Sequence, residues 1–280
     1  MEFHTKPNTY VGVVSLKVSD LERSLDYYQN IIGFQILDKT DTTASLTADG
    51  KTPLVLLERP ENPIPKNERH AGLYHFAILL PSRADLGAFL NHVLNKGVPL
   101  GASDHIVSEA IYLNDPDGNG IEVYADRPKS YWQLGDGRIR MSTEPLNARS
   151  LLAEAKDKWV GLPSGTIMGH IHLHAVNLEK SKQFYCDGLG FDVVYYYPQA
   201  VFMSTGGYHH HVAINTWNRA IEEKPQKNQV GLDWFSVVYP SGTAREQAVT
   251  NLEKLGYAVT KKDDIFVVED PSNICIHLTC

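Results

Sequence analysis

Between positions 103 and 122 the chain carries a histidine, a tyrosine and a glutamate that could bind a cation or move a proton. His105 and Tyr112 precede the turn Asp115-Pro-Asp-Gly-Asn-Gly120, and Glu122 follows it inside the apolar run Gly120-Ile-Glu-Val-Tyr124. Pro and Gly clusters of this kind make tight turns, so the stretch reads as strand, turn, strand. It lacks the length and the closing bidentate Glu of an EF-hand calcium loop. A carboxylate in an apolar strand must face a cation, a partner or a cavity, because an unpaired buried charge is very costly. Elsewhere His75 lies in Leu73-Tyr-His-Phe-Ala-Ile78, His170 opens the alternating series His170, His172, His174, and histidines fill positions 209–211. Two imidazoles and one carboxylate on one face suit non-haem iron, with the opposite face left open for ligands.

Each of these residues also has a plainer role. His75 could be a hydrogen-bonded core histidine, Glu122 a paired structural carboxylate, Tyr112 a strand aromatic and His105 a turn histidine. The run 209–211 could lie on the surface. A repeat in the sequence weighs against coincidence. Residues 11–59 can be laid on 168–216 without a gap, matching Gly12 with Gly169, Ser24 with Ser181, Tyr28 with Tyr185 and Gly33-Phe34 with Gly190-Phe191. The run starting at Gly72 matches the run starting at Gly231, and Asp115-Pro116 matches Asp270-Pro271. The chain is thus two halves of two modules each. Each module begins with an alternating strand and a helix, such as 21–32 with Leu21, Leu25, Tyr28 and Ile32 at helical spacing, Ser19 or Asp20 as N-cap and Gly33 as stop. Three short strands complete it.

The repeat aligns Val13, His75, His170 and Trp234 in the first strands, and Glu122 with His277 in the last strands of modules two and four. Modules two and three therefore supply His75, His170 and Glu122. Modules one and four supply Val13, Trp234 and His277, a poor set for iron. One site keeps its ligands and its counterpart has lost them.

The stretch 103–122, with its His, apolar-Tyr pair, Asp-Pro-x-Gly and Glu, resembles the signature of extradiol ring-cleavage dioxygenases, with Ser103 at a position where that signature has Gly, Asn, Thr, Ile or Val. Ser24, Tyr27, Tyr28, Gly33 and Phe34, with Ser181, Phe184, Tyr185, Gly190 and Phe191, resemble the vicinal oxygen chelate superfamily to which those enzymes belong. The resemblance implies an α+β fold of four βαβββ modules, paired into curved mixed sheets around a metal. It implies Fe(II), or Mn(II), held by His75, His170 and Glu122. His170 is preferred to its neighbours because the family ligand follows a Gly, here Gly169. The family's acid–base histidine precedes an Ala by three residues, which selects His210 with Ala213 and leaves His211 in reserve. His105 is expected on the substrate's oxygen side, and Tyr112 as a hydrogen-bond donor to the diol oxygen. The implied reaction cleaves catechol, or a substituted catechol, beside the diol with O2, giving a 2-hydroxymuconic semialdehyde. In common two-domain dioxygenases the site lies in the C-terminal half; here it bridges the halves.

Two other classes fit the modules. A glyoxalase-type isomerase or thiol transferase typically uses more than one Glu ligand, and Asn215 and His277 count against it. A non-enzymatic small-molecule-binding protein is the other.

With 280 residues and 42% apolar content the chain suits two ordinary domains: an N-terminal half 8–126, a connector 127–165 and a C-terminal half 166–280. A net charge of −7 without a long basic run argues against nucleic acid and membrane partners. Homo-oligomers remain open. The start lacks a signal core, and the three cysteines lack C-x-x-C spacing, so a cytoplasmic protein is expected. The connector, with Trp132, Arg138, Arg140 and a helical stretch at 148–159, is too long for bare loop and could run along the surface or cover the cavity mouth.

Overall fold

A polar cap follows the first strand of every module, and there the chain turns into a helix. Asp20, Ser82, Asn177 and Ser241 each accept a hydrogen bond from the backbone N–H three residues on, satisfying a donor that the helix start leaves unpaired. The computed structural model describes residues 2–132, 134, 139–220 and 225–280; Arg138 lies outside them. Module one holds β1 (Tyr10–Lys17), α1 (Leu21–Tyr27), β2 (Gln35–Lys39), β3 (Thr43–Thr47) and β4 (Pro53–Glu58). Module two holds β5 (Gly72–Leu79), α2 (Arg83–Asn95), β6 (Gly101–Asp104), β7 (Ser108–Asn114) and β8 (Gly120–Asp126). The connector contributes β9 (Glu144–Pro145) and α3 (Ala148–Glu154). Module three holds β10 (Ile167–His174), α4 (Leu178–Gln183), β11 (Asp192–Tyr197), β12 (Ala200–Ser204) and β13 (Val212–Asn215). Module four holds β14 (Gly231–Val238), α5 (Gly242–Lys254), β15 (Thr260–Lys262), β16 (Ile265–Glu269) and β17 (Cys275–Thr279). This is the α+β architecture that the family resemblance implies, with the modules that the repeat marks out.

The modules pair across the halves. One sheet runs β15-β16-β17-β14-β1-β4-β3-β2 and the other β11-β12-β13-β10-β5-β8-β7-β6-β9. At the centre of the second sheet β5 and β10 are antiparallel, with His75 opposite His172 and Ala77 opposite His170. Side chains alternate faces along a strand. Phe76, Ile78, Ile171 and Leu173 therefore enter the main apolar core, where each gains roughly 1.5–3 kcal/mol from burial. The interleaved histidines are left on the opposite face.

A second tie works within each half. The Tyr28 hydroxyl donates to Asp115 Oδ2 at 3.0 Å, and the Tyr185 hydroxyl donates to Asp270 Oδ2 at 3.0 Å. The other oxygen of each Asp accepts backbone N–H groups of its own turn: Asp117 and Asn119 in one, Ser272 and Ile274 in the other. Each clasp joins a helix packed on one sheet to a turn of the other. The helix expected at 21–32 is α-helical only to Tyr27 and then widens into a π turn over Tyr28–Ile32. The wider turn keeps both Tyr28 and Ile32 buried, and Gly33 closes it at φ 100°. Helix α3 ends before Trp159 because Ala155 is extended; the Trp159 ring packs edge-on against Phe89 of α2.

Candidate active site

The turn chemistry of 115–120 sets Glu122 opposite Tyr112 in the antiparallel β7–β8 pair. The parallel β5–β8 pair sets it beside Ala77, one pleat from His75. Strand β10 then delivers His170 from the other half. His75 Nε2 lies 3.0 Å, and His170 Nε2 3.2 Å, from the same Glu122 oxygen. One donor atom from each of the three side chains lies within 4.8 Å of the others, and all three residues are buried. Gly169 is required just before His170, because a Cβ there would stand 2.0 Å from the Tyr124 hydroxyl.

The electrostatics favour an ionised Glu122 beside a neutral His170 ring. Burial alone would raise the Glu122 carboxyl, but His170 and His75 outweigh it and hold it well below the usual range. Burial pushes His170 down to about 4, against the pull of Glu122. Neutral imidazole and carboxylate are the forms that bind a divalent cation. Despite its 3.0 Å contact with Glu122, the buried His75 Nε2 has no aligned hydrogen bond. An orphaned nitrogen beside an imidazole nitrogen and a carboxylate oxygen fits a first-row divalent metal. His172 and His174 have other partners: Asn215 Nδ2 donates to His172 Nε2 at 2.9 Å, and His174 Nδ1 donates to Asn215 Oδ1 at 2.7 Å. Asn215 thus engages His172 and His174, while His170 faces Glu122.

A cavity of about 300 Å³ opens in front of this cluster. Five of the six residues expected in the site, His75, His105, Tyr112, Glu122 and His210, border it. His170 stands just behind, its ring 4.0 Å from that of His210. The Tyr112 hydroxyl contacts His105 Nε2 at 2.7 Å, and His105 Nδ1 donates to the carbonyl of Ser142 at 2.8 Å. Burial, followed by the Glu122 charge, pushes the Tyr112 phenol well above its ordinary value. The connector forms part of the wall through Met141, Ser142 and Thr143. Its Trp132 is buried with Phe3, Val107, Ile139 and Tyr208.

The three consecutive histidines separate. His210 borders the cavity. His211 turns away, donating Nε2–H to the Phe3 carbonyl at 3.0 Å while its Nδ1 accepts from the Thr205 N–H. His209 does not point away from His210, although neighbours in a regular strand face opposite sides. Residues 209–211 precede β13, and the Nδ1 atoms of His209 and His210 meet at 2.9 Å. Sequence reasoning missed Asp126, which contacts His209 Nε2 at 2.8 Å. The signal was there: Glu122, Tyr124 and Asp126 fall on one face of β8 by the period of two.

In the other sheet Trp234 and His277 stack at 4.0 Å and 20°. Together with Val13 they border a separate cavity of about 650 Å³. Among the described residues, the only cluster of three His, Cys, Asp or Glu donors is that of His75, Glu122 and His170.

Comparison with known proteins gives this geometry a family. The model of the Glyoxalase/Bleomycin resistance protein/Dioxygenase superfamily matches residues 10–123 and 167–275. The chain belongs to this superfamily. Within the superfamily it is 47% identical over 270 residues to a catechol-2,3-dioxygenase of Bacillus subtilis (strain 168), covering 94% of each chain. It is 29% identical over 177 residues to biphenyl-2,3-diol 1,2-dioxygenase 2 of Rhodococcus globerulus, covering 59% of this chain and 88% of that one. The metallothiol transferase FosB of Staphylococcus epidermidis is 33% identical over 122 residues, 41% of this chain and 81% of its own. In fold, glyoxalase I of Zea mays superposes with a TM-score of 0.59 at 16% identity, covering 96% of this chain and 92% of that one.

Proposed function

We propose that this superfamily member is a non-haem Fe(II) extradiol dioxygenase that cleaves catechol, or a small substituted catechol, beside the diol with O2. The chain is an enzyme of the extradiol dioxygenase kind, a class supported by 47% identity along nearly all of a catechol-2,3-dioxygenase. The observation that carries the finer reading is the buried meeting of His75, His170 and Glu122 behind a cavity that also presents His210 and Tyr112. His75, His170 and Glu122 would hold Fe(II), with Mn(II) the alternative.

Bound there, ferrous iron supplies a Lewis acid for the two vicinal oxygens and one-electron chemistry for dioxygen. The protein supplies the rest. Tyr74, Phe202 and Trp217 on the cavity wall give a planar ring apolar surface to lie against. Tyr112, fixed by His105, orients one ring oxygen. His210 is the base that takes a diol proton and returns it later in the cycle, within reach of the reacting oxygens. The product is a 2-hydroxymuconic semialdehyde.

A direct test loads the purified protein anaerobically with ferrous iron, adds catechol and admits air. A yellow ring-cleavage product with matching oxygen uptake is expected. Stoichiometric metal without oxygen uptake on any catechol would favour an isomerase, a thiol transferase or a binding protein.

A further inference from the structure

We infer that Asp126 and His209 are positioning residues that fix the tautomer of His210. The inference rests on the proposed role of His210 as the proton-transferring residue.

The chain of contacts runs Asp126 Oδ1, His209 Nε2 at 2.8 Å, then His209 Nδ1 to His210 Nδ1 at 2.9 Å. A carboxylate only accepts, so His209 carries its proton on Nε2. With His209 in its neutral form, Nδ1 holds a lone pair. The short nitrogen–nitrogen contact needs one proton, and His210 Nδ1 supplies it. A neutral His210 is left with an unprotonated Nε2, which has no hydrogen-bond partner among the described residues, on a ring that borders the cavity. The arrangement holds His210 as a ready proton acceptor. In free solution the imidazole would divide between two tautomers, one of them useless as a base at Nε2.

The surroundings fit a built device. His209 is fully buried. The Tyr208 ring lies over it at 3.9 Å, and the Trp132 ring stands against it at 5.7 Å, 82° from parallel. The Tyr208 hydroxyl also contacts both Asp126 oxygens, at 3.2 and 3.1 Å. Asp126 is thus held at one end by the residue that clamps His209. His211, with both nitrogens committed to the backbone, takes no part. Partners of this kind set which nitrogen of a working histidine carries the proton; around metal-ligating histidines their loss typically costs about 10- to 100-fold, the scale taken here for His210.

Two measurements test this. The first needs no catalysis: the full-length protein, labelled with 15N at histidine and loaded with diamagnetic zinc, is examined by long-range proton–nitrogen correlation NMR. His210, assigned by its loss in His210→Gln, is expected to show a protonated Nδ1 and an unprotonated Nε2. Asp126→Asn and His209→Gln are expected to shift His210 toward the other tautomer. The second uses the iron-loaded enzyme with catechol. Both variants are expected to lose about 10- to 100-fold in kcat, with KM and iron content unchanged. A wild-type His210 carrying its proton on Nε2, or an Asp126→Asn enzyme with wild-type kcat, overturns the inference. If the wild-type protein cleaves no catechol, the proposed function fails, while the NMR result still decides the tautomer.

Discussion

Replacing Asp270 by Asn separates the charge of the Tyr185–Asp270 clasp from its hydrogen bonds. Burial pushes the Asp270 carboxyl from 3.8 up to about 6, although the N–H groups of Ile274 and Ser272 and the Tyr185 hydroxyl pull it down. The folded chain therefore holds the proton more tightly than the unfolded chain does. The associated stability is complete below about pH 4, fades as pH rises through about 6 and is gone above that. At about 1.36 kcal/mol per pH unit, the rise from 3.8 to about 6 is worth about 3 kcal/mol. Asn keeps an oxygen for the backbone N–H groups and does not titrate. The unfolding free energy of wild type minus that of Asp270→Asn should fall by about 3 kcal/mol between about pH 3 and pH 7. The difference is the quantity to follow, because other groups titrate as well. Burial lowers His172, His210 and His211, and they act in the opposite sense, removing stability as pH falls. They are common to both proteins and cancel. Urea unfolding of the metal-free chain across this range supplies the values. A difference that stays flat with pH refutes a buried, raised carboxyl at this turn.

Three further outcomes are expected at the site. Glu122→Ala or His75→Ala should abolish retention of iron, measured by metal analysis after gel filtration, with the far-UV circular dichroism unchanged. Gly169→Ala must displace the Tyr124 ring, so it should lose about 1–3 kcal/mol of stability and bind metal more weakly; an unshifted unfolding midpoint would refute the close approach. Tyr112→Phe removes the hydroxyl that His105 fixes, and should keep its iron while turnover falls at least about tenfold; wild-type steady-state rates would remove Tyr112 from the mechanism.

Much of this architecture could be read from the residues because the physics is local. Alternation along 72–79 and 167–174 separates core side chains from the histidines, and the Asp-Pro turns carry their own hydrogen bonds. The match of Tyr28 with Tyr185 and of Asp115 with Asp270 was visible as a repeat, but the clasp joining each Tyr to its Asp was not, because it spans two sheets. The convergence of His75, His170 and Glu122 followed from which module positions align. The partners of the remaining histidines did not follow. Asn215 reaches two of them from a neighbouring strand, and the irregular segment before β13 turns His209 toward His210, where regular alternation would separate them. The π turn after Tyr27 was also hidden, since the apolar spacing of 21–32 suits an ordinary helix as well.

The exchange of modules between halves has a consequence for synthesis on the ribosome. The first half emerges with His75 and Glu122 already made, but β1 and β5 lie at the middle of their finished sheets, and each needs a strand that has not been translated. Until β10 and β14 arrive, two apolar strands present open edges, a standing invitation to aggregation. A nascent chain stopped before residue 170 holds only two of the three proposed donors, so capture of a cation there would wait for the second half and then help to lock the halves together.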